Sequence, residues 1–217
     1  MIFIFYFFKV KLINKNKIYK IKLIKYIMSI ESEETNSSSF NDDNNIKIIK
    51  NKEDFINNDL YINHELNCLI SIYLLNIISK NKLRSNYQDL LKKQKKNIFN
   101  VKNVPKLSIG DFIYRITFYT KVSYETLISS LILMEKYCIK NQIIITIYNI
   151  HRLLFSSILI NIKFMEDKVF SNHFYSKICG VNLKDLNKME YEFICGIQFE
   201  IYIEKEYFYE FQKSINQ

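Results

Sequence analysis

The chain has 217 residues and a mass of 26.2 kDa, room for one substantial domain and a tail. Hydrophobic residues make up 48% and aromatics 15%, with three glycines and one proline; this is ample for a packed core but too poor in turn residues for the many hairpins of an all-β protein of this size. The formal charge of +9 suggests nucleic acid, since basic surfaces collect phosphates, but seven of those charges are Lys9, Lys11, Lys15, Lys17, Lys20, Lys22 and Lys25 in residues 1–28, which hold no acid, leaving +2 for the rest.

The apolar run Met1–Phe8 falls far short of the roughly 18 residues a membrane span needs. Its lysines follow the run rather than precede it, and no small-residue cleavage site comes after, unlike a secretory signal. Three readings stand for residues 1–28: a basic segment on a membrane surface, a targeting extension, or upstream sequence that is not translated, with Met28 as the start. The last is preferred over membrane contact. Residues 29–60 are rich in Ser, Asn, Asp and Glu and read as a disordered polar tail.

Helical periodicity then begins. Leu66, Leu69, Ile70, Tyr73, Leu74, Ile77 and Ile78 recur at the spacing of one helix face. A polar connector is expected from about Lys80 to Val104, with Lys92, Lys93, Lys95 and Lys96 as a solvated loop, ending at Pro105. A second helix is predicted from about Ser108 to Tyr119. A third starts at Ser123 and ends near Lys140, with Leu127, Leu131, Met134 and Cys138 along its stripe. The segment His151–Lys163 is apolar almost all round, the pattern of a central buried helix, and Ser156 and Ser157 leave room for close neighbours. Two more helices fit Asn172–Ile178 and Leu183–Gly196, with Asn182 as N-cap and Gly180 as a helix-terminating turn. The result is all-α: a first helix followed by a five-helix body.

Cys68, Cys138, Cys179 and Cys195 are widely spaced and lack zinc-site patterning, so reduced structural thiols are expected, which suits an intracellular compartment. His64, His151 and His173 are scattered and read as structural or surface residues. With no phosphate loop, metal cluster or nucleophile–base pair in view, no catalytic residue, cofactor or metal is expected.

Three stretches in order carry a family resemblance. Tyr124-Glu125-Thr126-Leu127 through Leu133-Met134-Glu135-Lys136-Tyr137 resembles a pattern E-T-L followed by Y-I-D-R-F. His151-Arg152-Leu153-Leu154 through Ile162-Lys163-Phe164-Met165-Glu166-Asp167 is similar to H-R-L-L…A-A-K-F-x-x-D. Asn172-His173-Phe174-Tyr175-Ser176-Lys177-Ile178-Cys179-Gly180-Val181, with Leu186-Asn187-Lys188-Met189-Glu190 beyond, resembles N-x-x-Y-A-K-V-G-G-V…L-N-x-L-E. Together they resemble the cyclin box, in particular the P/U-type group related to the fungal phosphate-response cyclins. Glu135-Lys136 stands where the pattern has Asp-Arg, Cys179 stands where it has glycine, and no M-R-A-I-L-type motif lies near Leu107, so docking of Arg-x-Leu substrates is not expected.

The resemblance implies a cyclin-box five-helix orthogonal bundle with a preceding helix, in a cyclin domain over 61–211 whose box core spans about 107–203. It implies a non-catalytic regulatory subunit that binds and activates a cyclin-dependent serine/threonine protein kinase, in the cytoplasm or nucleus. The alternative is a cyclin-fold transcription or nucleic-acid-associated adaptor that activates no kinase, which the near-neutral body disfavours. Carried over position by position, the kinase contacts fall on Lys163 and Glu190, within an apolar pocket of Ile160, Phe164, Ile194 and Ile201. Spacing agrees: Ile160, Lys163 and Phe164 share one helix face, and so do Glu190 and Ile194. Glu135 is expected to tie helices together inside the box, with Arg115 as a candidate partner.

Overall fold

The computed structural model describes residues 59–215 except 95, with side chains from 65 onward. The expectations for residues 1–28, for most of the tail 29–60, for Lys95 and for the His64 side chain lie outside the described residues. Asp59 and Leu60, assigned to the tail from sequence, open the first helix.

Eight helices and no strand occur among the described residues: α1 Asp59–Lys82, α2 Tyr87–Gln94, α3 Ile109–Thr120, α4 Tyr124–Lys140, α5 Ile150–Met165, α6 Asn172–Cys179, α7 Leu183–Gly196 and α8 Lys205–Ile215. Their starts follow from side chains that satisfy the orphan N–H groups of a first turn. Ser108 accepts from the Asp111 N–H, Ser123 from Thr126, Ser171 from Phe174 and Asn182 from Asp185. α6 ends as the sequence suggests: Gly180 takes φ 74°, in the left-handed region glycine tolerates, and its N–H returns to the Ser176 carbonyl.

α5 is the axis of the bundle, packing on α4, α6 and α7. Its side chains from Leu153 to Ile162 are buried without interruption, as its all-round apolar sequence requires. The small residues do what their size permits. Ser129 and Ser130 of α4 and Ser156 and Ser157 of α5 are buried, and the Ser157 hydroxyl donates to the Ser130 carbonyl at 2.6 Å across the contact. α1 lays Leu66, Ile70, Leu74 and Ile78 inward and packs on α3. Each such aliphatic side chain contributes roughly 1.5–3 kcal/mol by burial.

Two helices were not read from the sequence. α2 falls inside the expected connector: it is a polar stretch whose one buried residue is Gln94, and its end carries Lys92 and Lys93, which favour a helix C-terminus. It is anchored by Gln94, buried, whose amide accepts from the Ile144 N–H at 3.1 Å and donates to the Ile144 carbonyl at 3.2 Å. α8 interleaves Tyr and Phe with Glu and Lys, buries Phe211 and Ile215 and packs on α1 and α4. The connection from α2 to α3 is held down by the start of α5: Arg152 donates to the Ile98 carbonyl at 2.8 Å and the His151 Nε2 lies 3.0 Å from the Leu107 carbonyl.

Candidate functional site

The two charges singled out from the sequence meet each other. Lys163 lies in the last turn of α5 and Glu190 in the middle of α7, two helices packed side by side. Lys163 Nζ stands 2.8 Å from Glu190 Oε1, with the lysine side chain 10% exposed and the glutamate fully buried. An ion pair out of water survives only if its remaining polar atoms are also satisfied. The other carboxylate oxygen, Oε2, accepts from Asn172 Nδ2 at 2.8 Å, and the same nitrogen donates to Asn187 Oδ1 at 2.8 Å. Three helices thus supply one polar cluster inside an apolar body.

The four apolar residues expected to line a pocket around the pair are not all at the surface. Ile160 and Ile194 are 1% exposed and Ile201 is buried as well; only Phe164 is partly exposed. The physical reason is that α5 sits at the centre of the bundle, so a residue one turn before Lys163 already faces inward. Ile201 reaches the core through a tight reversal after α7, where Gln198 and Phe199 both take positive φ (57° and 59°), a conformation costly for non-glycine residues. The reversal is strapped to α4, where Lys136 and Lys140 reach Glu200 at 2.9 and 3.0 Å and Lys140 also donates to Gln198 Oε1. Exposed apolar side chains occur in the adjoining stretches of chain, at residues not picked out as site residues. Met165, Val169 and Phe170, in and after the end of α5, are exposed, and so is Leu183 at the start of α7. Exposure of this kind has no signature in a linear pattern.

A second carboxylate fixes the frame. Glu166, just past α5, accepts at Oε1 from the Ser123 N–H, the Ser123 hydroxyl and the Thr126 hydroxyl at 2.9, 2.7 and 2.6 Å, joining the end of α5 to the start of α4. Burial pushes its carboxyl up, but these hydrogen bonds outweigh that and hold it below the usual carboxylate range. Glu135 behaves oppositely: burial raises it, and a hydrogen bond from the Tyr73 phenol on α1 only partly offsets this. Tyr73, not Arg115, is therefore the partner of Glu135, and Arg115 donates to the Lys177 carbonyl at 2.8 Å. Burial lowers His151, partly offset by hydrogen bonds to the Leu107 and Ser108 backbone. Burial also raises the Cys138 and Cys179 thiols to about 12. Among the described residues no group of side chains could hold a metal ion, no disulfide joins the cysteines, and no helix is long and apolar enough to cross a membrane.

The family model described as Cyclin matches residues 21–201, a range that takes in every helix from α1 to α7 and the whole cluster around Glu190. The chain belongs to the cyclin family. Its relatives include plant cyclins of the P and U types. It is 32% identical over 130 residues to Cyclin-U4-3 of Arabidopsis thaliana, covering 59% of this chain and 57% of the relative. It is 30% identical over 144 residues to Cyclin-P3-1 of Oryza sativa subsp. japonica, covering 64% and 58%. With Cyclin-U2-1 of Arabidopsis thaliana it shares 30% over 110 residues, 50% of each chain. The chain spans about half the length of the curated relatives it matches. The all-helical bundle around α5 is the cyclin fold, and cyclins as a family are regulatory proteins.

Proposed function

We propose that this cyclin binds a cyclin-dependent serine/threonine protein kinase and activates it by holding the kinase's helix C in the active position, so that the glutamate of that helix can pair with the phosphate-binding lysine. The chemistry belongs to the kinase. The observation that carries the reading is the Lys163–Glu190 pair, a desolvated ion pair with 2.8 Å geometry at the end of the central helix, followed along the chain by exposed Met165, Val169 and Phe170. Buried pairs are poor sources of stability compared with apolar packing, so their presence argues for a role in recognition. The apolar residues supply contact area and Phe164 their edge, while the charges set orientation and partner choice. Ile160, Ile194 and Ile201 act here as the floor beneath the contact. Shifting a kinase from 1:99 to 99:1 in favour of its active form takes about 5.5 kcal/mol of differential binding, within reach of such an interface. The same reading places the protein in the cytoplasm or nucleus, where thiols stay reduced.

The test is capture from the native cell on the full chain, mass spectrometry of what is bound, and a protein-kinase assay of the complex. Recovery of a cyclin-dependent kinase whose activity requires this chain supports the reading. Recovery of nucleic-acid machinery without a kinase moves the function to an adaptor. Removing one charge of a buried pair costs about 3–5 kcal/mol of stability, so single substitutions confuse folding with binding. The informative variant is the exchange Lys163→Glu with Glu190→Lys, which preserves the pair. It is expected to keep its helical circular dichroism and lose the kinase; retained activation rejects the assigned role.

A further inference from the structure

The carboxylate of Glu190 is fully buried, and the terminal torsion of a glutamate has only broad preferences. Burial alone does not say how its two oxygens are turned. What turns them is Asn172. This residue is the first of α6 and is 1% exposed. It is itself held from both sides: Ser171 caps the helix start, and the Phe170 N–H donates to the Tyr175 hydroxyl at 3.1 Å. Its Nδ2 gives one hydrogen bond to Glu190 Oε2 and one to Asn187 Oδ1. An amide nitrogen has two hydrogens, so both are committed. Turning the amide over would set its oxygen against a carboxylate and a second amide oxygen, so the neighbours fix its sense.

The cost is visible on the other atom. Asn172 Oδ1 is buried and finds no hydrogen-bond partner among the described residues. An unsatisfied buried acceptor is destabilising, and a leucine of similar shape would remove that one orphan while leaving the buried Glu190 Oε2 and the Asn187 Oδ1 without their donor. The amide thus leaves one acceptor of its own unmet while meeting two on a neighbouring helix. It is well suited to presenting two hydrogens to acceptors that must not move.

We infer that Asn172 is a positioning residue for partner recognition: it locks the Glu190 carboxylate so that Oε1 holds the Lys163 ammonium in the orientation the kinase meets. The inference rests on the proposed kinase contact at Lys163 and Glu190, and it adds to that contact a residue from a third helix. Asn187, one turn before Glu190 on α7, is the second anchor of the lock.

The test uses the full chain with Asn172→Leu, which keeps volume, removes both donors and removes the orphaned oxygen, and with Asn172→Ala as a smaller control. Three readouts are taken: the thermal midpoint, the side-chain ammonium resonance of Lys163 in heteronuclear NMR, and the affinity for the captured kinase. The expected result for Asn172→Leu is a midpoint lowered by several degrees in a chain that stays helical, a shifted or broadened Lys163 resonance, and affinity of the folded chain lower by about tenfold, the loss of one hydrogen bond to a charged group. In a Glu190→Gln background, held at a temperature where its helical circular dichroism shows the chain folded, the same substitution is expected to lower affinity much less, because the groups act as one unit. An unchanged Lys163 resonance overturns the lock. A parent chain that binds kinase, with affinity unmoved by Asn172→Leu or lowered equally in both backgrounds, overturns the positioning role. A parent chain that captures no cyclin-dependent kinase overturns the functional reading, and the role in recognition with it, even where the resonance shows the lock intact.

Discussion

Gly196 ends α7 with its backbone against the ring of Tyr137, and a methyl group built on it would overlap that ring, with Asn141 Nδ2 next at 3.0 Å. Tyr137 has little room to yield, being buried, stacked on Phe193 at 4.7 Å and met edge-on by Phe99. Gly196→Ala is therefore expected to destabilise by about 1–3 kcal/mol, read as a fall of several degrees in the thermal midpoint; an unchanged midpoint would show that α7 can shift away. From sequence, Gly196 marks only the place where a helix stops. Its real constraint depends on a ring from another helix, and no local pattern carries that. The site divides the same way. Lys163 and Glu190 were found by matching motifs residue by residue, but their mutual pairing, and the burial of Ile160 and Ile194, depend on how α5 and α7 are rotated against each other. Asn172 and Asn187 stood inside the matched motifs without a role, because a polar residue at a helix start reads as a cap until its side chain is seen.

At the scale of elements, helices with strong apolar contrast or recognisable caps were legible nearly to the residue: α7 is Leu183–Gly196 with Asn182 as cap, and α3, α4, α5 and α6 lie within one or two residues of their expected bounds. α2 and α8 were lost because they bury so little, Gln94 alone for one and Phe211 with Ile215 for the other. α8 closes over the Tyr73–Glu135 hydrogen bond, with Phe211 edge-on to Tyr73 at 5.9 Å and Tyr207 near enough to perturb both. A buried carboxylate whose folded pKa is raised binds protons more readily folded than unfolded, so its contribution to stability falls as pH rises through the folded value. Tyr73→Phe removes the hydrogen bond that limits this rise. The substitution is expected to destabilise by roughly 1–3 kcal/mol near neutral pH, and by less below about pH 4, where the glutamate is protonated in both states. Urea midpoints measured across that range decide it; a penalty independent of pH would show that Glu135 is not the group Tyr73 serves.

The whole molecule is organised around α5, whose first turn pins the α2–α3 connection through His151 and Arg152 and whose last turn holds Lys163. Glu166, immediately beyond, ties that end to α4 through three hydrogen bonds. Loading of one helix is thus felt at both ends of the bundle. The charge at this end of α5 is internally cancelled, since Lys163 and Glu190 lie 2.8 Å apart. A neutral pair casts almost no field beyond a Debye length of about 8 Å at physiological salt, so it does not draw a partner from a distance. On the proposed kinase reading, encounter is then governed by diffusion and shape, and selectivity is exercised after contact, in how long the complex lasts. The association rate should vary little with ionic strength while substitutions at the pair act on dissociation. Steep salt dependence of association would show that charges outside the pair gather partners, leaving the pair to choose among them.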